Sequence, residues 1–237
     1  MIVRASPSFG PRRDSARPEM VVLHYTAMVD AQAALDRLCD PSVEVSAHYL
    51  IARDGQVYRL VDENMRAWHA GAGSWGSAGD VNSRSIGIEL DNTGAQPFPE
   101  PQMTALEGLL RNILNRWSIP PERVIAHSDM APDRKSDPGT KFDWRRLARQ
   151  GLSVWPGRSS VADAPSSSEK GAQATDELRF RAAAGAFGYP DCESGAILRA
   201  FRLRFRPWAD GPLAPADVAA LCDLAGRFPV DPQPSST

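Results

Sequence analysis

At 237 residues the chain has room for one large domain, or for one domain and a small companion. A hydrophobic share of 42% against 24% charged is that of an ordinary globular protein, and a net charge of −2 gives no electrostatic pull toward nucleic acid or an anionic membrane. The three cysteines, Cys39, Cys192 and Cys222, are too few and too widely spaced for a disulfide framework or a cysteine metal knuckle. Free thiols are the expected state, with a Cys192–Cys222 pair the alternative under oxidation. The opening residues lack the apolar core of a secretory signal, and no run approaches the roughly 20 apolar residues of a transmembrane segment. The expected compartment is therefore cytoplasmic, or the periplasm or outer membrane if an export signal has been removed.

Residues 1–17, with Pro7 and Pro11, read as an extended lead-in. Met20 to His24 is a short apolar run suited to a strand buried on both faces. Asp30 is placed to cap a short helix that carries Leu35 and Leu38 and stops before Pro41. Two apolar segments, His48 to Ala52 and Gln56 to Val61, flank Asp54-Gly55, which is a hairpin signal. Ser85 to Leu90 predicts another buried strand. Pro101 to Trp117 predicts a helix with Met103, Leu106, Leu110, Ile113, Leu114 and Trp117 on one face. A strand is expected over Arg123 to His127, then a basic helix headed by Asp143 and stopped by Gly151. Strands alternating with helices, one pair joined by a hairpin, predict an α/β domain over 18–156 with a mixed central β-sheet flanked by helices. Residues 157–174 are rich in Ser and Gly and read as a linker. Over 175–230 three stripes predict a small C-terminal three-helix domain: Leu178, Ala182 and Ala186; Ile197, Leu198, Phe201 and Phe205; Val218, Leu221, Cys222 and Ala225. A unit of that size is near the lower limit for folding alone and is expected to lean on the first.

His24 and His127 each close an apolar run. If both strands run the same way in one sheet, both imidazoles emerge at its carboxyl edge, where α/β sheets place ligands. Asp137 lies in the Asp137-Pro138-Gly139 loop, ten residues after His127, and can bend back toward them. Two imidazoles and a carboxylate make three ligands for Zn2+, the arrangement that keeps a fourth position for water and is catalytic rather than structural. A lone histidine ending a strand is more simply a structural residue. Two of the chain's four in this pattern, with the spaced aspartate, favour the metal. Glu89, between Ile88 and Leu90, is either salt-bridged to Arg84 or Arg66 or a general base with a raised pKa. Lys135 is either a solvated loop cation or a stabiliser of an oxyanion. His48 reads as structural. Trp68 and His69, beside the glycine-containing loop Gly71 to Gly79, read as one wall of a groove for a sugar or peptide, with a plain core tryptophan as the competing account.

Five motifs occur in order: Leu23-His24-Tyr25-Thr26, Ser46-Ala47-His48-Tyr49-Leu50-Ile51, Ala67-Trp68-His69-Ala70-Gly71, the run from Asn82 to Leu90, and the run from Ala126 to Gly139. Together they resemble the zinc-dependent N-acetylmuramoyl-L-alanine amidases of type 2, in their AmiD/AmpD-like branch, which are related to the peptidoglycan-recognition proteins. The resemblance implies that family's fold, Zn2+ on His24, His127 and Asp137, Glu89 as the catalytic carboxylate, and Lys135 assisting at the scissile carbonyl. It also implies that Trp68, His69, Asn82 and Arg84 lie near a muropeptide. The activity implied is hydrolysis of the amide between N-acetylmuramic acid and L-alanine in peptidoglycan or (anhydro)muropeptides, in cell-wall turnover and recycling. Peptidoglycan fragments are the implied partners, and a monomer is favoured. The segment from Phe201 to Pro207 is similar to a helix of peptidoglycan-binding modules. The alternative is a muropeptide-binding protein without turnover, against which all three ligand positions are filled.

Overall fold

The computed structural model describes residues 1–157 and 170–231. In chain order its strands are β1 (Ile2–Val3), β2 (Phe9–Pro11), β3 (Met20–Tyr25), β4 (Tyr49–Ile51), β5 (Val57–Arg59), β6 (Met65–Ala67), β7 (Ser85–Leu90) and β8 (Val124–Ala126). Its helices are α1 (Ala31–Leu38), α2 (Val81–Arg84), α3 (Glu100–Trp117), α4 (His127–Met130), α5 (Trp144–Arg149), α6 (Lys170–Phe187), α7 (Ser194–Phe205) and α8 (Pro215–Arg227). The main sheet has the order β1-β5-β4-β7-β3-β8. Strands β4, β7, β3 and β8 run parallel, and β5 turns back antiparallel to β4. The reversal lies at Asp54-Gly55, where Gly55 takes a positive φ of 87° that a side chain would disfavour. The mixed sheet expected from the hairpin is therefore present.

The two-residue period of the strands sorts their side chains onto two faces. Val21, Leu23, Ile86, Ile88, Leu90 and Val124 share one core with Leu106, Leu110 and Ile113 of α3. The apolar stripe read from the sequence of α3 thus packs on one side of the sheet, beside Trp144 and Leu147 of α5. Met20, Val22 and His24 alternate onto the opposite face, as do Ser85, Gly87 and Glu89 on the neighbouring strand. Pairing puts His24 beside Glu89 in register. The same face of β4 contributes Leu50, covered by Ala34, Leu35 and Leu38 of α1. That helix is capped as expected, with the Asp30 carboxylate accepting from the Ala33 N–H at 2.8 Å.

Three expectations need correction. The lead-in 1–17 is extended but woven into the fold: β1 pairs with β5, and β2 forms a small antiparallel sheet with β6. Arg12 then reaches the carbonyls of Glu63 and Ser83. Extended backbone beside an open sheet edge satisfies its N–H and C=O groups by pairing. His127 opens α4 rather than closing a strand, because β8 ends at Ala126. On α6, Leu178, Ala182 and Ala186 are exposed, and Phe180, Ala183, Ala184 and Phe187 are buried instead. The two phenylalanines, seven residues apart, bury far more apolar area than the competing Leu/Ala stripe.

Helix α6 begins at Lys170, inside the span read as linker, and residues 158–169 of that span lie outside the described residues. The helical unit is seated on the sheet. Phe180, Phe187, Phe201, Phe205 and Leu221 belong to one hydrophobic cluster with Met20, Val22 and Ile125 of the sheet and Trp75 of the loop after β6. Among the described residues no helix is long and apolar enough to cross a membrane.

Candidate metal centre

Parallel pairing of β3 with β8 brings His24 and His127 to the same edge of the sheet. The third group arrives by a loop that folds back on α4: the Ser128 N–H donates to the Asp137 carbonyl at 3.0 Å. His24 Nδ1 and His127 Nδ1 lie 2.9 Å apart, and each is 3.0 Å from Asp137 Oδ2. All three side chains are buried.

The remaining ring nitrogens fix which atoms face this point. His127 Nε2 is 2.9 Å from the Ala70 carbonyl, which only accepts, so His127 donates there and turns a bare Nδ1 inward. For His24 the direction is read from further out. The Ser85 hydroxyl donates to the Val81 carbonyl at 2.6 Å, so its oxygen accepts from His69 Nε2 at 3.0 Å. His69 Nδ1 is then an acceptor for His24 Nε2–H, also at 3.0 Å. Both imidazoles therefore direct a lone pair at the Asp137 carboxylate. Three electron-rich atoms converging in a buried space fit a cation. Burial, seconded by His127, lowers the pKa of His24 to about 4. His24 is thus in the deprotonated form that metal binding requires at neutral pH.

Glu89 lies against this point in register with His24, and its Oε2 is buried without a hydrogen-bond partner among the described residues. Burial, then the charge of Asp137, raises its pKa well above the ordinary value, with Lys135 opposing. The salt bridges considered for it are taken elsewhere: Arg84 pairs with Glu19 and Arg66 with Asp80. A groove passes over the site in two lobes of about 430 and 480 Å3 that share Trp68, His69, His127, Arg134 and Lys135. Glu89 lines the first lobe, and Arg13, Arg66 and Asn82 the second.

Residues 14–140 match the family model described as N-acetylmuramoyl-L-alanine amidase. The chain belongs to that amidase family. It is 36% identical over 234 residues to the N-acetylmuramoyl-L-alanine amidase AmiD of Escherichia coli, a match covering 87% of this chain and 82% of AmiD. It is 35% identical over 159 residues to the 1,6-anhydro-N-acetylmuramyl-L-alanine amidase AmpD of Haemophilus influenzae, covering 60% of this chain and 86% of AmpD. A solved complex of E. coli AmiD with the substrate anhydro-N-acetylmuramic acid-L-Ala-D-gamma-Glu-L-Lys superposes with a TM-score of 0.81, at 32% identity, over 96% of this chain and 94% of that one. A match to 87% of the chain runs of necessity into the helical unit.

Within the amidase the residues expected at the substrate fall into different places. Trp68 lines both lobes of the groove, its backbone held by Ser46. His69 has both ring nitrogens committed, to His24 and Ser85, and so orients His24, a candidate metal ligand. Asn82 Oδ1 accepts from the N–H groups of His69 and Ala70 at 3.0 and 2.9 Å, which holds the segment that orients both histidines. Arg84 lines neither lobe, because α2 turns it toward Glu19 at 3.1 Å. His48 is structural, its Nδ1 accepting from the Gly87 N–H at 3.0 Å. Arg134 was not singled out from the sequence. It donates to the carbonyls of Ala70, at 2.6 Å, and Ala72, pinning the loop beside the candidate metal centre. The one sequence cue to the role of His69 is Gly87, a lone glycine in an apolar strand, which marks a close approach. A Cβ there would lie 2.4 Å from the His69 ring.

Proposed function

We propose that this amidase is a zinc hydrolase that cleaves the amide between the lactyl group of N-acetylmuramic acid and L-alanine, in peptidoglycan or its anhydro-muropeptide fragments, during cell-wall turnover and recycling. The observation that carries the reading is the convergence of two imidazole lone pairs and a carboxylate beside a half-buried glutamate whose Oε2 is buried and unpartnered among the described residues. Ligand atoms around a tetrahedral zinc with bonds of about 2.0–2.1 Å stand roughly 3.3–3.4 Å apart, so His24, His127 and Asp137 need to spread by only tenths of an ångström. When bound, the ion supplies Lewis acidity that polarises a carbonyl and lowers the pKa of water.

The chain's own groups do the rest. Glu89, with its pKa raised by burial, takes a proton from the attacking water and delivers it to the departing L-alanine amine. Lys135, on the groove wall, faces the negative charge that grows on the carbonyl oxygen. Trp68 offers an aromatic face between the two lobes, suited to the apolar side of a sugar or peptide. Incubation with a defined anhydro-muropeptide, followed by mass spectrometry, tests the reading. Free peptide is expected, with release stopped by a chelator and restored by zinc. Glu89→Gln should retain zinc and fold while lowering turnover about 10²–10⁴-fold. Tight binding without release of peptide would make the protein a muropeptide receptor instead.

A further inference from the structure

The helical unit shares more than an apolar core with the sheet domain. Helix α4, which begins with the metal ligand His127, is only four residues long. A helix that short does not hold its own shape and must be fixed from outside. Much of the fixing comes from Asp129, two residues after His127. Its Oδ2 accepts from the Ala126 N–H at 2.8 Å. Its other partners belong to the helical unit: the Tyr189 hydroxyl donates to Oδ1 at 2.9 Å, and Arg204 Nη1 donates to Oδ2 at 2.6 Å.

Arg204 also grips the strand that leads into α4. Its Nη2 donates to the Val124 carbonyl at 2.9 Å and to Ser153 Oγ at 3.1 Å, and its guanidinium lies 4.4 Å over the Trp144 ring. The side chains of Asp129 and Arg204 are both 0% exposed. One arginine of α7 therefore contacts the start and the end of the Val124–Asp129 segment, with His127 between.

A second line runs to the ring of His127. The loop after β6 supplies the Ala70 carbonyl that receives His127 Nε2–H, and its Trp75 packs edge-on against Tyr189 at 5.3 Å and Phe187 at 5.4 Å. Gly76 N–H donates to the Gly188 carbonyl at 2.8 Å, and a Cβ on Gly188 would lie 2.4 Å from the Trp75 ring. Backbone and ring of His127 are thus referred by separate contacts to the α6–α7 corner.

We infer that the helical unit is a fixed positioning element of the metal centre: through Arg204 and Tyr189 it clamps Asp129 and thereby sets the place of His127. This goes beyond any binding role of the unit and rests on the metal-centre reading. Arg204 and Tyr189 touch neither the reacting atoms nor the groove, so they are positioning residues.

The test uses the full chain, with zinc affinity measured by chelator competition and ligand geometry read from the visible spectrum of the cobalt(II)-loaded protein. Tyr189→Phe keeps the ring packing and removes one donor to Asp129. It should weaken zinc binding about threefold to tenfold and shift the cobalt bands. Arg204→Met should weaken it about 10- to 100-fold, as loss of an outer support of a ligand does, with KM for soluble anhydro-muropeptide changed by less than about twofold. Phe180→Leu, whose ring packs on Phe201 of α7 at 6.1 Å and bonds neither Asp129 nor its partners, should lower the melting temperature while leaving zinc affinity and cobalt spectrum unchanged. If Arg204→Met does not fold, Tyr189→Phe decides alone. Zinc affinity and cobalt bands unchanged in Tyr189→Phe would overturn the inference. So would a Phe180→Leu protein that loses zinc as readily as Tyr189→Phe. A wild-type chain that binds neither metal would remove the metal centre itself, a different failure from the first two.

Discussion

Replacing His69 by phenylalanine isolates the contribution of the hydrogen-bond chain behind the candidate metal centre. The aromatic ring still fills the space above Gly87, but both nitrogens are lost. His24 Nε2–H, buried and aimed at His69 Nδ1 from 3.0 Å, then has no acceptor. A buried donor without a partner costs about 1–3 kcal/mol, roughly five- to 150-fold in an equilibrium constant. The imidazole of His24 relieves part of that cost by rotating or changing tautomer, and either movement takes Nδ1 off the shared point. The expected result is zinc binding weaker by about 10- to 100-fold in chelator competition, the usual effect of removing a ligand's outer partner. At saturating zinc most of the turnover should return, since Glu89 and Lys135 are untouched and an aromatic ring still lines the groove at this position. His69→Asn places an amide oxygen where Nδ1 was and should recover much of the affinity. Zinc binding within about twofold of wild type in His69→Phe would refute the reasoning, because His24 would then be oriented by its strand alone.

Two further outcomes follow from the neighbouring residues. Gly87→Ala drives a Cβ to 2.4 Å from the His69 ring and should destabilise the fold by about 1–3 kcal/mol in urea unfolding, with zinc affinity falling in parallel. His48, its pKa lowered to about 4 by burial and then by Arg12, stays neutral in the fold at pH 5 while the unfolded chain takes up a proton. Its folded pKa is depressed, so stability falls as pH drops below the unfolded value near 6.5 and levels off near 4. Between pH 7 and 5 that loss is about 2 kcal/mol for this residue, and His48→Gln should remove it from the pH dependence of urea unfolding.

The candidate ligands were legible because each sits where a chain-level signal ends, and the structure brings the three side chains together. His24 terminates the apolar part of a strand, His127 follows another, and Asp137 occupies a proline–glycine loop that has to turn. Parallel pairing of β3 with β8 then turns sequence spacing into a separation of 2.9 Å. For Glu89 the sequence left two readings open, a salt bridge to Arg84 or Arg66 or a general base, and the structure pairs both arginines elsewhere and leaves Oε2 unpartnered among the described residues. The positions of His69, Asn82 and Arg134 were not legible, since their contacts are made between a loop and a sheet face distant in sequence. Arg84 illustrates the converse: it neighbours the strand of Glu89 in sequence, yet one short helix turns it to Glu19. On α6 the error was one of weighting, because two phenylalanines decide the buried face against a more regular stripe of leucine and alanine.

A single alternation accounts for how the sheet serves both stability and chemistry. On the face toward α3 every β3 and β7 side chain from Val21 to Leu90 in the core is apolar, so that side seals the domain. On the other face β3 reads Met20, Val22, His24 and β7 reads Ser85, Gly87, Glu89, passing from packing to chemistry along the strands. Met20 and Val22 lie in the same hydrophobic cluster as Phe187, Phe201 and Phe205 of the helical unit, whereas His24 and Glu89 line the open groove. The helical unit therefore covers the half of the face away from the groove, and its edge falls at α4, which begins with the candidate ligand His127. A tethered module free to sample other orientations would expose Met20, Val22 and Ile125 each time it left, and burying that apolar surface again is what holds it in place.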